Sequence, residues 1–145
     1  MKKFLLLLLT YYFIQFSFAQ TNNEKAQASY QIATEVYENN NYNECISNLE
    51  KAENYLGETN SKILYLKIKA LVGKAKDFDK NIPPCKDGIQ PELNSTWIKA
   101  DVEIKKYFAI VQKQNNEDKY NEILKLSLVT EKQANRFKAL ELYRK

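Results

Sequence analysis

The chain contains no histidine, and among its 145 residues only three are glycine, three proline and two cysteine. Each shortage removes a class of chemistry. Without histidine, the commonest general base and metal ligand near neutral pH is missing. The glycines, at 57, 73 and 88, form no phosphate-cradling loop and no nucleophile elbow. Cys45 and Cys85 are too far apart in sequence for a Cys-x-x-Cys pair. Catalysis by carboxylates alone would need an Asp/Glu pair that the pattern does not single out; solvated faces and helix caps account for these residues. The expectation is a protein that is not an enzyme and uses no cofactor. Few glycines and prolines, with no alternating strand pattern, leave an all-α reading with little competition.

Charge excludes a further class. The whole chain carries 22 basic and 18 acidic residues, a net charge of +4. Lys2 and Lys3 supply two of those charges, so residues 20–145 carry +2, with both signs interleaved. That describes a soluble surface and no field for a nucleic acid.

What is present begins with a leader. Met1, Lys2 and Lys3 make a positive start, Phe4 to Ile14 is apolar, and Ser17, Phe18 and Ala19 form a small-x-small site. This is the pattern of a secretory signal peptide over residues 1–19, with Gln20 as the mature terminus. The apolar run is shorter than the roughly 20 residues a spanning helix needs, and Gln15 interrupts it. No cysteine follows at the cleavage point, so a lipoprotein is not supported. The expected location is the periplasm or the exterior of a bacterial cell, without membrane insertion after cleavage.

Residues 20–145 read as one helical domain. A first helix is expected from about Glu24 to Glu38. Thr21 and Glu24 are placed as a capping box, and Ala26, Ala33, Val36 and Tyr37 fall at helical spacing, with Ala28, Tyr30 and Ile32 between. Asn39, Asn40 and Asn41 break it. A second helix restarts at Tyr42 with Asn41 as cap, buries Cys45 or Ile46, Leu49, Ala52 and Leu56, and ends at Gly57.

From Ala26 to Gly57 this hairpin resembles a tetratricopeptide repeat, a 34-residue helix-turn-helix unit. Counting Ala26 as the first position, Ala33, Cys45 and Ala52 stand where that family places small residues, Tyr42 at an aromatic position and Leu49 at a large one. Ser29 stands where an aromatic is usual, and Gly57 where proline is common. The resemblance implies stacked antiparallel helical hairpins, a short solenoid with a C-terminal capping helix. It also implies binding of a protein or peptide along a concave face, which in the first repeat would carry Gln27, Tyr30, Thr34 and Tyr37. Packing of Tyr30 and Tyr37 on later helices is the competing reading.

Carried along the chain, the resemblance implies repeat one over 24–57 and a degenerate repeat two over 60–114. Its first helix, capped by Asn60 or Ser61, would end near Lys76, with Asp77 and Phe78 as the turn. Ile63, Leu64, Tyr65, Leu66, Ile68, Ala70, Leu71 and Val72 make that helix apolar on most sides. Pro83, Pro84, Gly88 and Pro91 mark residues 77–95 as an irregular loop. A fourth helix is expected from a Ser95 or Thr96 cap to about Gln114, burying Trp97, Ala100, Ile104, Phe108 and Val111. A last helix over 117–143 would bury Tyr120, Ile123, Leu124, Leu128, Ala134, Phe137 and Leu140, with a kink or break near Thr130.

Of three further motifs, two do not point to a site. Asp77 to Asn81 starts like a calcium loop but places Ile82 where glycine is required and Gly88 where glutamate is required. Asn94, Ser95 and Thr96 match a glycosylation sequon that a helix cap explains better. Cys45 and Cys85 are candidates for a disulfide, since an up-down-up stack brings the loop within reach and export leads to an oxidising compartment. Cys45 as a small buried residue is the alternative. Function is thus expected to be a non-enzymatic protein- or peptide-binding module; a self-assembling structural component of the envelope, a homo-oligomer, is the other reading.

Overall fold

The computed structural model describes residues 21–81, 91–112 and 117–142, and within them every regular element is a helix. The helices are α1 over 21–38, α2 Tyr42–Leu56, α3 Ser61–Asn81, α4 Pro91–Ile110 and α5 Glu117–Leu142. None of them is long and apolar enough to cross a membrane. The fold is all-α, as the composition implied.

The first hairpin follows its local signals closely. Asn40 takes a left-handed backbone, φ 59°, which Asn tolerates better than most residues. The Asn41 side chain then accepts from the Glu44 backbone N–H, while its own amide donates to the Glu44 carboxylate at 2.6 Å. Gly57, φ 72°, ends α2 in the left-handed region where a Cβ is costly. At the start of α3, Asn60 is the cap: its Oδ1 accepts from the N–H of both Lys62 and Ile63 at 3.0 Å. The start of α1 differs from expectation. Thr21 is itself helical, so the Thr21/Glu24 pair does not mark the helix end.

Helix α3 lies at the centre because it is apolar on two opposite sides. One side, with Ile63, Leu66 and Ala70, closes a core with Ala26 and Ala33 of α1 and Cys45, Leu49 and Ala52 of α2. The other, with Leu64, Ile68, Leu71, Val72 and Ala75, packs on Trp97, Ala100, Ile104 and Tyr107 of α4 and on Ile123 and Phe137 of α5. The first core is built largely from small side chains, which lets helix axes approach. A close approach is made at Gly73, where an added Cβ would stand 2.6 Å from the Tyr42 ring.

Two expected boundaries move, and an expected break is absent. Helix α3 runs through Asp77 and Phe78 to Asn81, because neither residue is a breaker and Phe78 packs against the second core. Helix α4 begins at Pro91, four residues before the expected cap: at the first helical position proline loses no hydrogen bond and its φ is already helical. Ser95 and Thr96 therefore sit inside the helix, where their hydroxyls donate to the Glu92 carbonyl at 2.9 and 2.8 Å. Of the expected loop 77–95, only residues 82–90 fall outside the described residues. Helix α5 is continuous through Thr130, without a break. Its buried stripe is Ile123, Thr130, Ala134 and Phe137 with Leu126 beside it, while Leu124 and Leu128 face away from the core.

Candidate binding face

Between its two packed sides α3 has two narrow polar edges, and each ties neighbouring helices together. On one edge Lys67 is buried, its ammonium 2.8 Å from Glu53 of α2 and 3.8 Å from Glu103 of α4. Glu103 also receives Lys106 at 3.1 Å. One cation thus spans α2, α3 and α4. Buried charges are tolerated when paired, and removing Lys67 would leave Glu53 with only the Thr59 hydroxyl as donor and Glu103 with Lys106 alone.

On the other edge, Lys69 joins α1, α3 and α5. Its ammonium lies 5.7 Å from the Tyr37 ring centre of α1 and 5.1 Å from that of Tyr65, and it bonds Glu122 of α5 at 3.0 Å. The Tyr65 hydroxyl donates to the same carboxylate, and Lys119 stands 5.1 Å from the Tyr65 ring on its own account. Burial would raise the Glu122 carboxyl, but the hydrogen bonds from Tyr65 and Lys69 and the charges of Lys69 and Lys119 outweigh it and hold it below its ordinary value. Burial and the bond to Glu122 push the Tyr65 phenol up. Burial likewise opposes the Lys69 charge, yet Glu122 and the two phenols keep that ammonium above its ordinary range.

The face made by α1, α3 and the start of α5 therefore has two zones. The Lys69 zone is internally satisfied: aromatic rings, one cation and one carboxylate already bond one another. Beside it, where α1 passes the start of α3, an open groove of about 450 Å³ is lined by Asn23, Gln27, Tyr30 and Gln31 of α1, Leu56 of α2, and Lys62 and Ile63 of α3. Its floor is apolar, from Ala26, Leu56 and Ile63. Asn23, Gln27 and Gln31 stand one helical turn apart, so their amides form a ladder along one wall.

The four residues expected on this face separate accordingly. Gln27 and Tyr30 line the groove. Thr34 donates back to the Tyr30 carbonyl at 3.0 Å, a bond within its own helix. Tyr37 packs on Tyr42, ring centres 5.8 Å apart, and under Lys69. Sequence reasoning missed Tyr65, Lys69 and Glu122. The signal available was a tyrosine and a lysine four apart on an otherwise apolar helix.

Among the described residues Cys45 has no disulfide partner; it is fully buried in the core with Ala26, Ala33 and Leu49, and burial pushes its thiol pKa up to about 11. Cys85, the other half of the expected pair, lies outside the described residues. Among the described residues no three His, Cys, Asp or Glu side chains gather to hold a metal. Asp77 and Asp79 lie within the C-terminal part of α3, and Asn94 of the sequon is buried in α4. No protein-family model matches the chain, and no curated protein and no solved structure matches it.

Proposed function

We propose that the chain is a non-enzymatic module that binds a protein or peptide segment along the α1–α3 groove, and that it acts outside the cytoplasm after loss of residues 1–19. The groove carries the reading. It offers an apolar floor for a side chain and an amide ladder that can both donate to and accept from a peptide backbone. Its lining contains no nucleophile with an adjacent base, so it is suited to recognition and not to bond-breaking. The tetratricopeptide resemblance of residues 26–57 supports the same reading, since a repeat of that kind presents its first helices to the ligand.

The test uses a photo-crosslinking amino acid placed at Gln27 in the full-length protein made in its own cells. A single discrete adduct from position 27, lost when Tyr30→Ala is added, is expected. Position 99, on the other side of the molecule, serves as control. Adducts that are equal at both positions, or none at 27, overturn the groove as a binding site. Mass spectrometry of the same protein should give Gln20 as the first residue; an intact Met1 terminus removes the exported location.

A second reading, a self-assembling structural component, is favoured by a separate observation. Leu124, Leu128 and Val129 stand exposed on α5, and Leu128 keeps 68% of its surface.

A further inference from the structure

We propose that the cavity between the start of α2 and the C-terminal part of α3 binds a single sugar ring, packed on Tyr42 and Phe78 with neighbouring hydroxyls donating to Asp77. The site lies at the opposite end of α3 from the α1–α3 groove and is independent of it.

The cavity measures about 310 Å³ and is lined by Asn40 and Asn41 of the α1–α2 turn, Tyr42 and Asn43 of α2, and Lys74, Asp77 and Phe78 of α3. That is the lower end of the range for small-molecule sites, a size that suits one ring. Two of its walls are aromatic and both are fixed. Gly73 lies against the Tyr42 ring, whose hydroxyl donates to Asn40 Oδ1 at 2.8 Å. Phe78 packs against the second core. Rings held in place offer an apolar surface to the C–H groups of a sugar without first having to be ordered.

The polar groups left over select the class of ligand. Asn41 is used at both ends by Glu44. Lys74 is engaged by Glu92 at 3.1 Å, and its ammonium stands 5.6 Å over the Phe78 ring. Asp77 is half-buried, yet among the described residues it has neither an ion pair nor a hydrogen bond. Burial and the nearby Asp77 charge raise the Tyr42 phenol, as the closeness of carboxylate and ring requires. The Asn43 amide is exposed and unbonded, and Asn40 keeps its N–H groups. The free set is thus one carboxylate with amide donors beside it. A carboxylate accepts from two hydroxyls at once, and amides donate back to the same oxygens. A cationic ligand would meet the Lys74 ammonium already seated on Phe78. An anion or a zwitterion would need a free cation, and Lys74 is taken by Glu92. A neutral ring bearing adjacent hydroxyls and an apolar face meets neither cost.

Saturation-transfer NMR on the mature chain from Gln20 tests this, with glucose, galactose, mannose and N-acetylglucosamine as probes. Phenylalanine and benzylamine supply a zwitterion and a cation with an apolar ring. At least one sugar should give a saturable signal in the millimolar range, strongest at its ring C–H protons. Asp77→Ala should weaken it about tenfold or more, since a charge-assisted bond is lost. Asn43→Ala, an exposed change, should weaken it less, and Leu128→Ala on α5 should leave it unchanged; helical spectra verify that all three fold. Cellobiose and chitobiose distinguish the sources: binding tighter than the monomer's indicates the end of a glycan chain, and equal binding a free sugar. No saturable signal from any sugar overturns the proposal, as does a signal that Asp77→Ala and Asn43→Ala both leave intact. Tighter binding of phenylalanine or benzylamine than of every sugar overturns the ligand class.

Discussion

The two cores on either side of α3 are built to different rules. The α1–α2 side is closed by Ala26, Ala33, Cys45, Ala52 and Ala70 around Leu49 and Ile63, and its buried Asn48 donates to the Glu44 carbonyl at 3.0 Å. The α4–α5 side is filled by Trp97, Tyr107, Ile104, Ile123 and Phe137. Among the described residues, every buried side-chain polar atom without a hydrogen-bond partner lies on that second side: Asn94 Oδ1, Trp97 Nε1, Glu103 Oε2 and Thr130 Oγ1. Small residues allow close helix approach with little polar baggage, while large rings gain area at the cost of stranding neighbouring polar groups. The first core depends on backbones staying close, and the second on volume staying filled.

The largest effect should come from emptying the second core. Trp97→Ala removes the largest of its fully buried side chains and should cost about 3–5 kcal/mol. Leu49→Ala is the matched test in the first core, at about 2–5 kcal/mol. Urea unfolding followed by far-ultraviolet dichroism measures both. If α3 couples the cores into one cooperative unit, each substitution shifts a single transition. A Leu49→Ala protein that unfolds in two steps would mean that the halves are stable separately.

Next is the close approach itself. Gly73→Ala puts a methyl group where the Tyr42 ring lies, so ring or helix must move, at about 1–3 kcal/mol. Adding Tyr42→Ala should recover part of that loss, giving a favourable coupling in the double-mutant cycle. Strict additivity would show that Tyr42 swings away freely and that the first core is less close-packed than it looks.

The same contrast decided what the sequence made legible. In the first hairpin, cap, helix stop and small-residue spacing all point one way, and the structure follows them at Asn41, Gly57, Cys45, Leu49 and Ala52. In the second half the signals compete. Pro91 reads as a break and Ser95 and Thr96 as caps, yet proline is accepted at the first helical position and both hydroxyls find the Glu92 carbonyl. On α5 the apolar residues 123, 124, 126, 128 and 129 surround most of the helix, so periodicity alone does not choose a face. Contact with α4 and α3 chooses Ile123 and Leu126 and leaves Leu124 and Leu128 outside. Of the proposed binding groove, repeat position pointed to Gln27 and Tyr30, which line it. Repeat position did not point to the Lys69 edge, since it exists only where three helices meet.

A smaller effect, with a definite sign, concerns pH. The Cys45 thiol is raised from 9.0 to about 11 by burial, so the folded chain holds that proton to higher pH than the unfolded chain. Its contribution to stability is complete below about pH 9 and is lost as pH rises towards 11. Tyr30, in the same core, is raised in the same direction by burial and adds to the loss. Unfolding free energy should therefore fall with alkali, and Cys45→Ala should flatten part of the slope. An unchanged slope in that variant would assign the alkaline loss to the tyrosines alone.

The smallest expected change separates two buried threonines that look alike in sequence. Thr96 donates its hydroxyl proton to the Glu92 carbonyl at 2.8 Å, whereas Thr130 has no hydrogen-bond partner among the described residues and no exposed surface. Valine has nearly the shape of threonine without the hydroxyl. At Thr96 the exchange deletes a hydrogen bond and should cost about 0.5–1.5 kcal/mol. At Thr130 it relieves a desolvated hydroxyl, so the result should be neutral or a gain of up to about 1 kcal/mol. β-branching is the same in both residues, so helix propensity cancels to first order. Denaturant midpoints for the two variants give the comparison directly. A loss at Thr130→Val as large as that at Thr96→Val would mean that the hydroxyl is hydrogen-bonded in solution, and that the second core bears less polar cost than its geometry implies.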